Sequence, residues 1–220
     1  MGAGHGPRDL ERTRANILEV ATRHFARTGF HGARIDEIAD ETATTKRMIY
    51  YCFDSKAGLF FACLHEQYRR IRAYERSLNL GSLPPEVAVD TYVRATVRYH
   101  EENPQLARLV RTENILEARH LGVEDRVMSR PIIGTLDAVL DRGRAEGVFR
   151  DGVTGVELHV AVTAFSNYRI TNQRTVQALF EYDLRDPDRL EHDLDQYSAM
   201  ILGWLRRPAA EDPAEQPARG

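Results

Sequence analysis

The stretch IDEIADETATTKRMIYYCFDSK, from Ile35 to Lys56, decides the fold. Ile35, Ile38 and Ala39 recur at helical spacing, with Asp36, Glu37, Asp40 and Glu41 on the opposite side, which predicts a two-turn amphipathic helix. Thr42-Ala43-Thr44 interrupts that pattern, because hydroxyl and β-branched residues favour turns and caps over helix interiors. Thr45 is placed to N-cap a second short helix, Lys46 to Cys52, that turns Ile49 and Phe53 inward. Two short helices joined by a tight turn make a helix-turn-helix, whose second helix enters a DNA major groove. Here that helix offers cations for phosphates or guanine edges, hydroxyls for phosphates, and the apolar surfaces of Met48 and Tyr50 for base methyl groups. Lys46 and Lys56 are the only lysines in the chain, and both fall on this motif.

The longer segment GFHGARIDEIADETATTKRMIYYCFDSKAGLF resembles the N-terminal domain of TetR-family transcriptional repressors. The matching positions are Gly29-Phe30, Ile35, Ile38-Ala39, Lys46, Ile49-Tyr50, Phe53, Ser55-Lys56 and Leu59-Phe60, in register from about Arg12 to Phe61. Two positions depart from the family pattern. Ala33-Arg34 stands where Ser or Thr usually caps the first helix, and Arg47-Met48 stands where Gly-Thr often follows the lysine; both bear on base preference rather than fold. The resemblance implies an all-α chain, with a three-helix DNA-binding domain at 9–55 and a helical effector-binding and dimerisation domain at 56–207. It also implies a homodimer on a pseudo-palindromic double-stranded operator, released by a small-molecule effector. Arg34, Thr44, Thr45, Lys46, Arg47, Met48, Tyr50, Tyr51 and Lys56 are the expected DNA contacts. An activator or a corepressor-dependent regulator is the alternative within the class. A small-molecule carrier or an enzyme on the same scaffold is the alternative outside it.

Composition agrees with this class. A chain of 220 residues can bury a substantial core. The formal net charge is −3, so DNA contact must come from a local patch rather than the whole surface. Cys52 and Cys63 are too few and too poorly spaced for a disulfide framework or a zinc site, which suits a reducing cytoplasm. No run approaches the roughly 18 apolar residues of a membrane span, and the N-terminal stretch lacks the apolar core of a signal peptide. Neither a phosphate-cradling glycine loop nor a Gly-x-Ser-x-Gly or HExxH motif is present, so neither an enzyme nor a cofactor is expected. Residues 1–8, glycine-rich, and 208–220, rich in Pro, Ala and Glu, are expected to be disordered.

Between these ends the periodicity predicts further helices. The first runs from Asp9 to Arg27 and stops at Thr28-Gly29; a long one runs from Lys56 to about Leu80, capped by Ser55. Others run from Pro85 to Glu102, from an Asn103 N-cap to about His120, around Glu124 to Glu146, from a Thr154 cap to Phe180, and from Asp186-Pro187 to Arg206. Polar groups on otherwise apolar faces are candidate effector contacts: Gln67, Tyr74, Glu113, His159, Asn167 and Tyr168. Val156, Val160, Tyr197, Ile201, Trp204 and Leu205 give the last two helices more apolar surface than a monomer needs, and are the expected dimer face. Glu113, Glu117 and His120 fall on one face of a helix extended to His120. No second Glu-x-x-His accompanies them, so no metal site is expected.

Overall fold

A computed structural model describes residues 7–207, which form nine α-helices: α1 (Pro7–Gly32), α2 (Ile35–Glu41), α3 (Lys46–Phe53), α4 (Lys56–Ser77), α5 (Pro85–Glu102), α6 (Pro104–Ile115), α7 (Val123–Ala145), α8 (Gly155–Phe180) and α9 (Pro187–Leu205). The two terminal stretches expected to be disordered lie outside the described residues, except that Pro7 and Arg8 open α1. The only β-type pairing among the described residues is an isolated bridge between Phe149 and Arg206.

The boundaries follow local chemistry. Gly29 sits at φ 72, a left-handed conformation that glycine adopts without steric penalty. It breaks α1 after Thr28 and turns Phe30 inward, where its ring stands 6.3 Å from Phe25 and 5.5 Å from Phe60. Thr45 Oγ1 accepts the Met48 N–H at 3.1 Å and Ser55 Oγ accepts the Gly58 N–H at 2.9 Å, so both predicted caps form. At Gly58 a Cβ would lie 2.1 Å from the Phe53 carbonyl oxygen; only glycine allows α3 and α4 to approach so closely. Thr154 and Glu157 form a reciprocal capping box at the start of α8.

Two boundaries differ from expectation. Asn103 does not cap α6 with its side chain; its Nδ2 donates back to the Tyr99 carbonyl at 2.9 Å and closes α5 instead. Helix α6 ends at Ile115 rather than near His120, because Glu117 and Ala118 both adopt left-handed backbone (φ 61 and 55). Glu113, Glu117 and His120 therefore do not share a helix face. The chain folds back, and buried Glu113 accepts hydrogen bonds from the His120 backbone N–H (2.6 Å) and from His120 Nδ1 (2.8 Å).

Two main cores result. Ile17, Phe25, Ile38, Ile49, Phe53, Leu59 and Phe60 build the first around α1–α4, and Leu109 of α6 is buried among them. The second joins α5, α7, α8 and α9 through Tyr92, Leu136, Leu158, Ile201, Leu205 and others. Helix α4 is common to both halves, since it packs on α1 and α3 near its start and on α6 and α7 further along.

Candidate nucleic-acid interface

Helix α3 is held by its inner face. Ile49 is fully buried and Phe53 nearly so, while Tyr50 (43% exposed), Tyr51 (72% exposed) and Arg47 face outward. Met48 is half-buried against the core and so has limited reach. Thr44 is half-buried and Thr45 exposed; the Thr45 oxygen is engaged as the helix cap, leaving its O–H free to donate. Lys46 is ion-paired with Asp36 of α2. Arg34 has no capping role, as its sequence position implies, and its exposed guanidinium makes only a loose approach to Glu37 at 3.9 Å. Lys56 is less free than the sequence suggests: its Nζ donates to the His31 carbonyl at 3.3 Å and lies 5.2 Å from the Phe30 ring centre. Partial burial lowers its pKa.

Several supports escape the sequence pattern. Arg14 of α1 donates to the Cys52 carbonyl at 2.8 Å and stacks 4.5 Å over the Phe53 ring, tying the C-terminus of α3 to α1. Buried His24 and exposed Arg23 both bond Glu41 (2.8 and 2.6 Å), which ties α2 to α1. Arg23, then His24, holds the Glu41 carboxyl below the usual carboxylate range. Position was the available signal, since Arg14 and His24 fall on the same α1 face as Ile17 and Ala21.

The candidate effector residues do not converge. Gln67 is buried beside a cleft with Thr22 and Glu102, Tyr74 stacks on Tyr99 at 4.9 Å between ring centres, and Glu113 is satisfied by His120. Asn167 is half-buried and Tyr168 is 53% exposed on α8. His159 alone reaches a cavity of about 470 Å³ between α4, α7, α8 and the loop after α6, beside Tyr68, Arg72, Ala118, Leu121 and Ile133. Its Nδ1 lies 2.6 Å from the Tyr92 hydroxyl. Burial lowers the His159 pKa to about 4, so the ring is neutral near pH 7. Arg72, which the sequence pattern does not single out, lines the same cavity; the α4 stripe through Leu64 and Tyr68 continues into Arg72 and Glu75.

Elsewhere on α8 Val156 and Val160 are more than half exposed, one turn apart. Tyr197 and Trp204 are half-buried, and Tyr197 stacks on Phe165 at 4.6 Å. Ile201 and Leu205 belong to the chain's own core (3% and 1% exposed) and are not available to a partner. Exposed Met200, not expected from the sequence, replaces them on the outer face of α9.

A short recognition helix carrying an outward cation and two tyrosines, in front of a larger helical domain, defines a helix-turn-helix DNA-binding transcriptional regulator. Residues 17–63 match the family described as bacterial regulatory proteins, tetR family, and residues 85–201 match the tetracyclin repressor-like C-terminal domain. The HTH-type transcriptional repressor NicS of Pseudomonas putida is 30% identical over 199 residues, covering 90% of this chain and 94% of that protein. The HTH-type transcriptional repressor SCO4008 of Streptomyces coelicolor is 28% identical, covering 74% of this chain and 81% of that protein. The fatty acid degradation regulator FadR from Bacillus halodurans superposes with a TM-score of 0.67 at 18% identity, over 93% of this chain and all of that one, a likeness of fold alone. The chain belongs to the TetR family of transcriptional regulators. Among the described residues no helix is long and apolar enough to cross a membrane.

Proposed function

We propose that this regulator is a homodimeric repressor, acting in the cytoplasm, that leaves a pseudo-palindromic operator when a small molecule occupies the domain at 56–207. The observation that carries the reading is α3 itself: a buried inner edge fixes the helix while Arg47, Tyr50 and Tyr51 project outward. In this reading Arg47 and Lys46 contact phosphates or guanine, Lys46 first exchanging Asp36 for DNA. Tyr50 and Met48 touch bases, Thr44, Thr45 and Tyr51 touch phosphates, and Arg34 and Lys56 flank them. Two such helices about 34 Å apart require a dimer, and Val156, Val160 and Met200 supply an apolar outer face for one. Effector must favour the DNA-incompetent state, by a coupling of roughly 1–3 kcal/mol. The loop after α6 supports a route for that coupling. Ala118 and Leu121 line the cavity, while His120 packs 6.0 Å from the Phe30 ring and 5.6 Å from the Phe60 ring in the DNA-binding core. Its output is occupancy of DNA, so a bound small molecule is returned unchanged.

Fluorescence anisotropy on the DNA flanking its own gene tests the proposal. Saturable nanomolar binding to one segment with two half-sites, and a steep dependence on salt, is the expected result. Weak binding that is equal on unrelated DNA would overturn it.

A further inference from the structure

We propose that the cavity between α4, α7 and α8 takes a small carboxylic acid with a flat or linear apolar body, its carboxylate held by Arg72 and His159. The inference rests on the reading of this domain as the effector-binding one and names the chemical class of the ligand. Arg72 is buried, 6% exposed, on the cavity wall. Its Nη1 is engaged by both oxygens of buried Glu75 at 2.6 and 2.5 Å, while its Nε has no partner in the protein. A buried guanidinium N–H without an acceptor is costly, and an unpaired Nε edge, here enclosed at the cavity wall, is the kind that takes a planar carboxylate in two parallel bonds. His159 supplies a second donor. The Thr96 hydroxyl also hydrogen-bonds the Tyr92 oxygen; with Thr96 donating there, the Tyr92 proton goes to His159 Nδ1, and the neutral ring then carries its own proton on Nε2.

The acid on the cavity wall, Asp125, and the one behind Arg72, Glu75, are already occupied. Asp125 oxygens are held by His65 Nδ1 (3.2 Å) and by the Gly122 N–H (2.8 Å), and Glu75 is held by Arg72. Arg126, exposed at the mouth, has no ion-pair partner among the described residues. A ligand thus meets donors and cations, and must bring acceptors. A carboxylate serves both Arg72 and His159, whereas the NH₂ of the matching amide would face N–H groups. The remaining wall, Ile132, Ile133, Leu121 and the Tyr68 ring, is apolar and calls for an apolar body.

Calorimetric titration of the full chain with benzoate, 1-naphthoate and octanoate, each against its own amide, tests this. At least one acid should bind at least about tenfold more tightly than its amide. That preference should vanish in the paired variant Arg72→Gln with Glu75→Gln, which leaves no buried charge unpaired, and thermal melting would verify that this variant is folded. His159→Phe, which keeps the ring volume and removes the donor, should weaken the acid more than the amide. Equal binding of acid and amide, a preference that survives the paired variant, or no binding by any of the acids at millimolar concentration would overturn the proposal. Adding the probes to the protein–DNA complex separates this inference from the one beneath it. Neutral probes that release DNA while acids do not would sink the carboxylate and leave the effector reading intact. Acids that bind as described yet leave DNA affinity unchanged would uphold the ligand class and overturn the effector reading.

Discussion

Arg47 and Arg169 carry the same guanidinium into opposite surroundings. Arg47 stands exposed on α3 without an ion-pair partner among the described residues. Arg169 is 1% exposed on α8, where its Nε donates to Glu101 of α5 at 2.7 Å and its other nitrogens reach Asp193 of α9 and the Leu184 carbonyl. Three segments meet on that one side chain, and Arg94–Asp195 (2.6 Å) and Arg98–Glu191 (2.8 Å) repeat the α5–α9 link at the surface. In the N-terminal module, charge is left outside for a polyanion to complete. In the larger domain, charge is closed on itself and fixes which helix sits beside which. A buried ion pair is weak evidence for net stability, yet removing one partner is costly because the others remain charged and dehydrated.

The largest effect should follow from Arg169→Met, which leaves Glu101 and Asp193 facing each other without their cation. A loss of about 3–5 kcal/mol in a denaturant titration is expected, and a loss below ~1 kcal/mol would break the contrast. Leu109→Ala should come next, at roughly 2–5 kcal/mol, because this α6 residue lies in the core of the DNA-binding module. If the two halves are as interdependent as that placement implies, near-UV circular dichroism and DNA binding should be lost in one shared transition.

His159 sharpens the comparison through pH. Its folded pKa of about 4 lies below the ordinary 6.5, so the folded chain binds fewer protons than the unfolded one between those values. Stability from this group is therefore present above pH 6.5 and declines as pH falls toward 4, by an amount on the order of 3 kcal/mol. His159→Gln should flatten the stability–pH curve in that window. A parallel curve, merely displaced, would mean that other groups carry the dependence.

The smaller effects lie in the reading module. Thr45→Ala removes the α3 cap and should cost about 1 kcal/mol of stability while weakening specific DNA binding. Arg47→Ala should leave stability within about 0.5 kcal/mol of the parent. The same change should lower the slope of log affinity against log salt by about one unit if it meets a phosphate. An Arg47 variant that melts early would erase the distinction between the two arginines.

The same division decides how much could be read from the sequence. Caps at Thr45, Ser55 and Thr154, the break at Gly29 and the inward pair Ile49 and Phe53 rest on residues within a turn or two of each other. Spacing alone recovers them. The cavity was not legible for the opposite reason. Tyr92 and His159 lie 67 positions apart and meet only because α5 packs on α8, and periodicity assigns a residue to a face without naming the face it meets. For that reason spacing alone offers Ile201 and Leu205 to a partner, while the chain's own core buries them. The end of α6 is hidden in the sequence because two ordinary residues, Glu117 and Ala118, take a backbone conformation more usual for glycine. Asp36 also hid its role: it reads as a solvated acid on α2 and proves to be the resting counter-ion of Lys46.

The placement of the two lysines has a consequence for chemical reactivity. Every ε-amine in this chain stands in or at the edge of the reading module, so an acyl donor or a methylating reagent strikes lysine only there. The two amines are not equivalent. Lys46 is ion-paired with Asp36, whereas Lys56, partly buried beside Phe30, has its pKa lowered and so presents more of the neutral, nucleophilic form. Acylation at Lys56 ends its charge over the aromatic ring at the joint between α1 and α4. Lysine-directed labelling therefore interrogates α3 and the start of α4 and touches no lysine beyond residue 56.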